Sequence, residues 1–128
     1  DDLKWHIEKK GLRNKVIIHG FKENPYKIIN DSDLFVLPSF SEGTSRAVLE
    51  ALFLGVPCIL RDVESNRELI QEDLHNGAIF SNDMELSNMM LNEALKSRKR
   101  KKRINFLPAL YRQCNAKEKY IYLIENFL

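Results

Sequence analysis

Short apolar runs alternate with stretches of helical periodicity along the 128-residue chain, and this alternation constrains the fold more than any other feature. Lys15-Val16-Ile17-Ile18-His19-Gly20 is β-branched and ends in glycine. Asp33-Leu34-Phe35-Val36-Leu37-Pro38 is a second continuous run, stopped by proline. Pro57-Cys58-Ile59-Leu60 is a third, and Gly77-Ala78-Ile79-Phe80, at an Asn-Gly turn signal, is a weaker fourth. Residues 1–10 predict a helix, with Leu3 and Ile7 four apart and Gly11 as its stop. Pro25 to Ile29 suits a short helix with proline in its first turn. Thr44 to Leu54 places Ala47, Val48, Ala51, Leu52 and Leu54 at helical spacing before Gly55. Asn66 to Gln71 reads as another short helix, and Asp83 as the N-cap of a longer one reaching about Lys96. The tail is helical again, broken at Pro108, with Tyr120, Leu123, Ile124 and Phe127 on one face.

Strands apolar on both sides are covered on both sides, and helical connections between them make them parallel. The expectation is a single α/β domain over residues 1–128: a four-stranded, open, Rossmann-type parallel sheet followed by C-terminal helices. No internal repeat and no splitting linker interrupts it.

Composition narrows the class. Five Gly and four Pro exclude collagen-like and low-complexity chains. Cys58 and Cys114 make neither a disulfide scaffold nor a metal knuckle, and they allow a reducing cytoplasm. No apolar run approaches the ~20 residues that span a bilayer. The opening Asp-Asp-Leu-Lys-Trp is not a signal peptide and has no initiator Met, which reads as a piece of something longer. Net charge is +2, but Arg98–Arg103 holds six of the 20 basic residues; the other 14 face 18 acidic ones, leaving the body at −4. That distribution argues against a nucleic-acid binder covered in positive charge.

In such sheets, ligands bind beyond the carboxyl ends of the strands. Two loops lie there: Gly20-Phe21-Lys22, and Pro38-Ser39-Phe40-Ser41-Glu42-Gly43-Thr44-Ser45, which runs directly into a helix. Gly43 permits close backbone approach, and Thr44 and Ser45 lie where unpaired helix N-terminal amides point outward, favouring an anion. There is no Gly-Lys-[Ser/Thr] P-loop and no Gly-x-Gly-x-x-Gly turn. By spacing alone, a phosphate site and an ordinary capped helix both remain open. Glu42 precedes the helix and Glu50 lies about two turns inside it, so at ~1.5 Å rise per residue the pair would flank a ligand of nucleotide-sugar length, with phosphate between. Carboxylates accept hydrogen bonds from vicinal sugar hydroxyls. The alternative is a solvated loop and helix face, against which stand the apolar Val48, Leu49, Ala51 and Leu52 around Glu50.

Pro38-Ser39-x-x-Glu42-Gly43, followed by Glu50-Ala51-x-x-x-Gly55-x-Pro57, resembles the nucleotide-binding core of retaining GT-B glycosyltransferases of the GT4 type. Supporting matches are Gly20, Asp33-Leu34-Phe35-Val36, Glu68-Leu69-Ile70 and Asn76-Gly77, so the similarity runs from about Lys15 to Phe80 in the family's order. The resemblance implies a C-terminal donor domain of a GT-B enzyme, N-terminally truncated, that binds a UDP- or GDP-sugar. Glu42 would be the catalytic position, contacting the donor sugar beside Ser39. Amides around Gly43, Thr44 and Ser45 would hold the diphosphate, Glu50 the ribose hydroxyls, and backbone near Phe21 and Lys22 the base. The family generally needs no bound metal and no separate cofactor: cations and a helix terminus stabilise the leaving diphosphate. A complete enzyme has a second, acceptor-binding N-terminal domain, so this chain alone is expected to be inactive. The family also places basic residues on a segment preceding this one; Arg46 is not their equivalent. Cell-surface polysaccharide synthesis is the role implied by association.

Other residues carry weaker signals. His19 and His75 have no partner at catalytic spacing and read as structural. Cys58 reads as inert core. Asn66 or Arg67, in the Glu64–Arg67 stretch facing the cleft side, would reach a ligand. The Arg98–Arg103 run is a solvated helix end or, alternatively, a patch adhering to anionic lipid at the inner membrane face of the cytoplasm. It lacks the interleaved aromatics of a nucleic-acid site. Two rival classes stay open: a non-catalytic Rossmann-type module for a phosphorylated metabolite, and an interaction domain working through the basic run.

Overall fold

The computed structural model describes residues 2–97 and 104–112. Eight elements follow in chain order: α1 (Asp2–Lys9), α2 (Tyr26–Asn30), β1 (Phe35–Leu37), α3 (Arg46–Phe53), β2 (Cys58–Arg61), α4 (Glu64–Arg67), β3 (Gly77–Phe80) and α5 (Asp83–Ser97), with single 3-10 turns at Glu72–Leu74 and Ala109–Tyr111. The three strands form one parallel sheet in the order β1-β2-β3. Register runs Phe35 beside Cys58 beside Gly77 and Leu37 beside Leu60 beside Ile79, so all three carboxyl ends emerge on one side. Helix α3 packs on β1 and β2, and α5 on β2 and β3. This is the α/β, Rossmann-like arrangement expected from the alternation of runs.

The centre of the sheet is its driest part. Cys58, Ile59 and Leu60 of β2 have no solvent exposure, and Val48, Ala51 and Leu52 of α3 cluster with Cys58 and Leu60 and with Val56, Leu69 and Phe106. The apolar face of α3, one side of β2 and flanking loop residues thus become one apolar cluster, and burying each large side chain there stabilises the fold by roughly 2 kcal/mol. Burial pushes the Cys58 thiol well above its usual pKa; the sulfur donates to the Val56 carbonyl at 3.6 Å, as an inert core group does.

Four sequence expectations need correction. The β-branched run Lys15–Gly20 forms no strand: Val16, Ile17 and Ile18 are exposed, Ile17 by 74%. β-Branching favours extended backbone, but a strand exists only where a neighbour completes its hydrogen bonds, so the described residues hold three strands, not four. The short helix is Glu64–Arg67 rather than Asn66–Gln71, because the Asn66 side chain donates back to the Arg61 carbonyl at 3.0 Å and fixes the turn earlier. Helix α5 is capped by Asn82, not Asp83: the Glu85 amide donates to Asn82 Oδ1 at 3.0 Å, while Glu85 Oε2 accepts from the Ser81 amide at 2.9 Å. Pro25 sits at the N-cap of α2, one position ahead of its first turn. Beyond Pro108, residues 109–111 form a 3-10 turn; Arg98–Arg103, Cys114 and the Tyr120–Phe127 face lie outside the described residues.

Two glycines are required by contact. Gly55 ends α3 at φ 74°, and a Cβ there would collide with the backbone of Ile104; Gly77 lies against the Cys58 carbonyl in the β2–β3 ladder. Segment 104–112 returns along α3, pinned by the Phe106 amide donating to the Leu52 carbonyl at 2.8 Å. The buried Asn76 completes the anchorage. Its Nδ2 donates to the carbonyls of Leu69 (2.8 Å) and Phe106 (3.3 Å), and its Oδ1 accepts from the Gln71 amide at 2.9 Å. Asn76→Ala strands these three backbone groups in the interior and is expected to cost about 2–3 kcal/mol. Urea denaturation measures this, and an unchanged midpoint would remove Asn76 from the account.

Candidate functional site at the carboxyl ends of the strands

The loop after β1 and the loop after β2 are neighbours because their strands pair in parallel. Together they enclose a cavity of about 460 Å³ whose walls include Phe40, Glu42, Gly43 and Thr44 from the first loop and Ser65 and Glu68 from the second. Three contacts hold the first loop to β2 and α4. Arg61 Nε donates to the Pro38 carbonyl at 2.8 Å, the Arg61 guanidinium stacks 3.9 Å from the Phe40 ring centre, and Ser65 Oγ donates to the Glu42 carbonyl at 2.9 Å. Arg61 also lies 4.9 Å from the Phe80 ring, so its planar cation is held between two aromatic faces. A loop pinned at Pro38, Phe40 and Glu42 presents the Glu42 side chain from a fixed backbone.

Ser45 is the N-cap of α3 with extended backbone, and its hydroxyl makes no capping bond. Glu50 lies one turn further and lines a second cavity, of about 540 Å³, with Tyr26, Arg46, Leu49, Phe53 and Leu107. The Tyr26 hydroxyl donates to Glu50 Oε1 at 3.4 Å, joining α2 to α3. Glu42 and Glu50 therefore line two separate cavities, with the start of α3 between them in the chain; a ligand gripped by both has to cross that helix terminus.

The remaining sequence candidates fall outside these walls. Phe21 is 91% exposed and Lys22 is exposed, both in a stretch without regular structure, and Ser39 and Ser45 are part-buried. Asn66 is fully buried behind the cavity, not in it. Arg67 donates to Asp62 Oδ1 at 2.6 Å, and that hydrogen bond holds the Asp62 carboxyl below its usual range. His19 is exposed, while His75 adopts left-handed backbone at the end of the Glu72–Leu74 turn, beside Glu93 and Lys96. Asp31-Ser32-Asp33, an Asp-x-Asp sequence, precedes β1 and so belongs to the opposite end of the sheet from the site. Among the described residues no three His, Cys, Asp or Glu side chains gather as metal ligands.

Sequence reasoning missed Tyr26 and Arg61. Neither stands at a periodic distance from the residue it contacts, and both meet their partners only through the fold, 24 and 23 positions away.

A parallel α/β sheet with a polar loop pinned at its carboxyl edge defines a ligand-binding domain of the Rossmann-like class. Comparison with known proteins makes the class specific: residues 1–106 match the model of "Glycosyl transferases group 1", and the chain belongs to that family. It is 33% identical over 86 residues to a UDP-Gal:alpha-D-GlcNAc-diphosphoundecaprenol alpha-1,3-galactosyltransferase of Escherichia coli, covering 66% of this chain and 22% of that protein. It is 34% identical over 74 residues, 57% of the chain and 20% of the relative, to an N-acetylgalactosamine-N,N'-diacetylbacillosaminyl-diphospho-undecaprenol 4-alpha-N-acetylgalactosaminyltransferase of Campylobacter jejuni. A poly(ribitol-phosphate) alpha-N-acetylglucosaminyltransferase of Staphylococcus aureus is 29% identical over 82 residues, 64% of the chain and 17% of the relative. Each match thus spans about a fifth of the relative's length. No helix among the described residues is long and apolar enough to cross a membrane.

Ser65→Ala removes the bond to the Glu42 carbonyl without adding bulk. Amide hydrogen exchange of residues 41–44 is expected to rise several-fold, with the sheet unaffected; unchanged exchange would mean that Ser65 does not hold the loop.

Proposed function

We propose that this chain is the donor-binding part of a retaining glycosyltransferase that uses a nucleoside-diphosphate sugar, UDP- or GDP-linked, to build a cell-surface polysaccharide at the cytoplasmic side of the membrane. The observation that carries this reading is the pinned Glu42 loop, which opens directly into the start of α3 at the carboxyl edge of the sheet. The donor sugar lies in the Glu42 cavity near Ser39, the diphosphate crosses the amides of Gly43, Thr44 and Ser45, and the nucleoside enters the Glu50 cavity, with its base toward Phe21 and Lys22. The E. coli relative's name specifies a UDP-sugar and a lipid-diphosphate acceptor, which supports the donor class.

In the transfer, the bond from the sugar's anomeric carbon to the diphosphate oxygen breaks and its electron pair leaves with the diphosphate. The acceptor oxygen takes its place on the same face and passes its proton to the departing diphosphate oxygen. Helix α3 directs the positive end of its dipole at the place where the leaving charge grows, so stabilisation there is strongest in the transition state. The Glu42 carboxylate, adjacent to the sugar, orients its hydroxyls. This chemistry needs no resident metal. It does need an acceptor-binding domain facing the loop, so the 128-residue chain alone binds donor without appreciable turnover.

Calorimetry with UDP, GDP and their sugar conjugates tests the assignment. Glu50→Ala is expected to weaken nucleotide binding by about tenfold or more, as loss of charged hydrogen bonds does. Glu42→Ala leaves UDP affinity nearly unchanged, removes the added affinity of the sugar conjugate and, in an enzyme with its acceptor domain, lowers turnover. Both variants behaving as the parent would sink the reading. Chelation with EDTA is expected to leave UDP affinity as it was.

A further inference from the structure

Tyr111 comes from a part of the chain remote from the Glu42–Glu50 motif, yet its hydroxyl meets that motif. It donates to Glu68 Oε2 at 3.5 Å, with the Thr44 side chain as its neighbour. Both Thr44 and Glu68 line the Glu42 cavity. The Tyr111 ring packs against the core, and its segment is anchored at the other end of α3 through Phe106 and Leu52. The position of the hydroxyl is therefore set by the fold.

The electrostatics of this cavity give the contact a purpose. Its walls carry three carboxylates, Glu42, Glu64 and Glu68, and no Lys or Arg. An anionic diphosphate at the start of α3 is repelled by any carboxylate left free to turn toward it, and unit charges a few ångströms apart near a protein surface interact by several kcal/mol before screening. Glu42 has a proposed sugar to bind; Glu68 has none.

We propose that Tyr111 is a positioning residue of the donor site: its hydroxyl holds the Glu68 carboxylate beside Thr44 at the entrance of α3, keeping that charge engaged instead of facing the diphosphate. This deepens the function proposed above and rests on it. Partial burial first, and then the Glu68 charge, raise the Tyr111 pKa above its usual value, so the phenol stays protonated and able to donate throughout the neutral range.

The test compares the parent chain, Tyr111→Phe and the double variant Tyr111→Phe/Glu68→Gln, titrated with UDP and with uridine. Tyr111→Phe is expected to lose about five- to tenfold in UDP affinity, the net worth of a single ordinary hydrogen bond, and less than about twofold for uridine. The double variant recovers UDP affinity because the freed charge is gone. Equal losses for UDP and uridine, with no rescue by Glu68→Gln, would reduce Tyr111 to a structural role and overturn the proposal. So would parent-like UDP binding by Tyr111→Phe. If the parent binds neither compound, the donor reading fails; amide exchange at Gly43–Arg46 then decides separately, because Tyr111→Phe must raise it without ligand, and unchanged protection overturns the positioning role.

Discussion

The central position of β2 is the constraint from which the rest follows. Cys58–Arg61 pairs in parallel with Phe35–Leu37 on one edge and Gly77–Phe80 on the other. Parallel pairing sends successive carboxyl ends to the same side, so Pro38–Ser45 and Asp62–Glu68 leave the sheet as neighbours although α3 and β2 lie between them in the chain. Arg61, the last residue of β2, then reaches the Pro38 carbonyl and the Phe40 ring, and Ser65 reaches Glu42. Antiparallel pairing would put these loops at opposite ends. The close fit of Gly77 on the Cys58 carbonyl shows how little slack the register allows, since any side chain there would push the strands apart.

Much of this was legible in the residues because burial and backbone chemistry leave local marks. The runs Phe35–Leu37, Cys58–Leu60 and Gly77–Phe80 are short, apolar and bounded by Pro or Gly, and each is a strand. Helix α3 begins within two residues of the expected start and ends against Gly55, whose positive φ closes it. Val16–Ile18 carries as strong a local signal and forms no strand, because pairing is a property of two segments and sequence shows one at a time. The displaced α4 has the same origin: Asn66 looks like an ordinary helix residue until its side chain turns back to Arg61.

The site divides along the same line. Glu42, Gly43 and Thr44 stand together in sequence and in one wall of a cavity, since a loop of adjacent residues has little freedom to scatter. Glu50 lies further along the chain, in α3, and helical rise gives distance along the axis but not the cavity a side chain enters. It meets Tyr26 and Arg46 instead, in a space of its own. The contacts that hold the loop, from Arg61 and Ser65, come from two elements with no periodic relation to it.

Charge explains why such distant support is needed. A cavity walled by Glu42, Glu64 and Glu68 favours hydroxyl-rich ligands, which donate to carboxylates, and opposes anions. The proposed donor, a nucleoside-diphosphate sugar, is both, so its two halves demand opposite surroundings a few ångströms apart. In the proposed complex, fixed backbone dipoles at the start of α3 supply the second environment, but only while the loop leading into the helix keeps its shape and the nearby carboxylates stay occupied. Mobile carboxylates would swing toward the sugar or toward solvent and lose the separation. For the proposed donor, rigid tethering of the Glu42 loop is thus an electrostatic requirement as much as a mechanical one, and a guanidinium packed on two aromatic rings and a serine hydroxyl supply the tether.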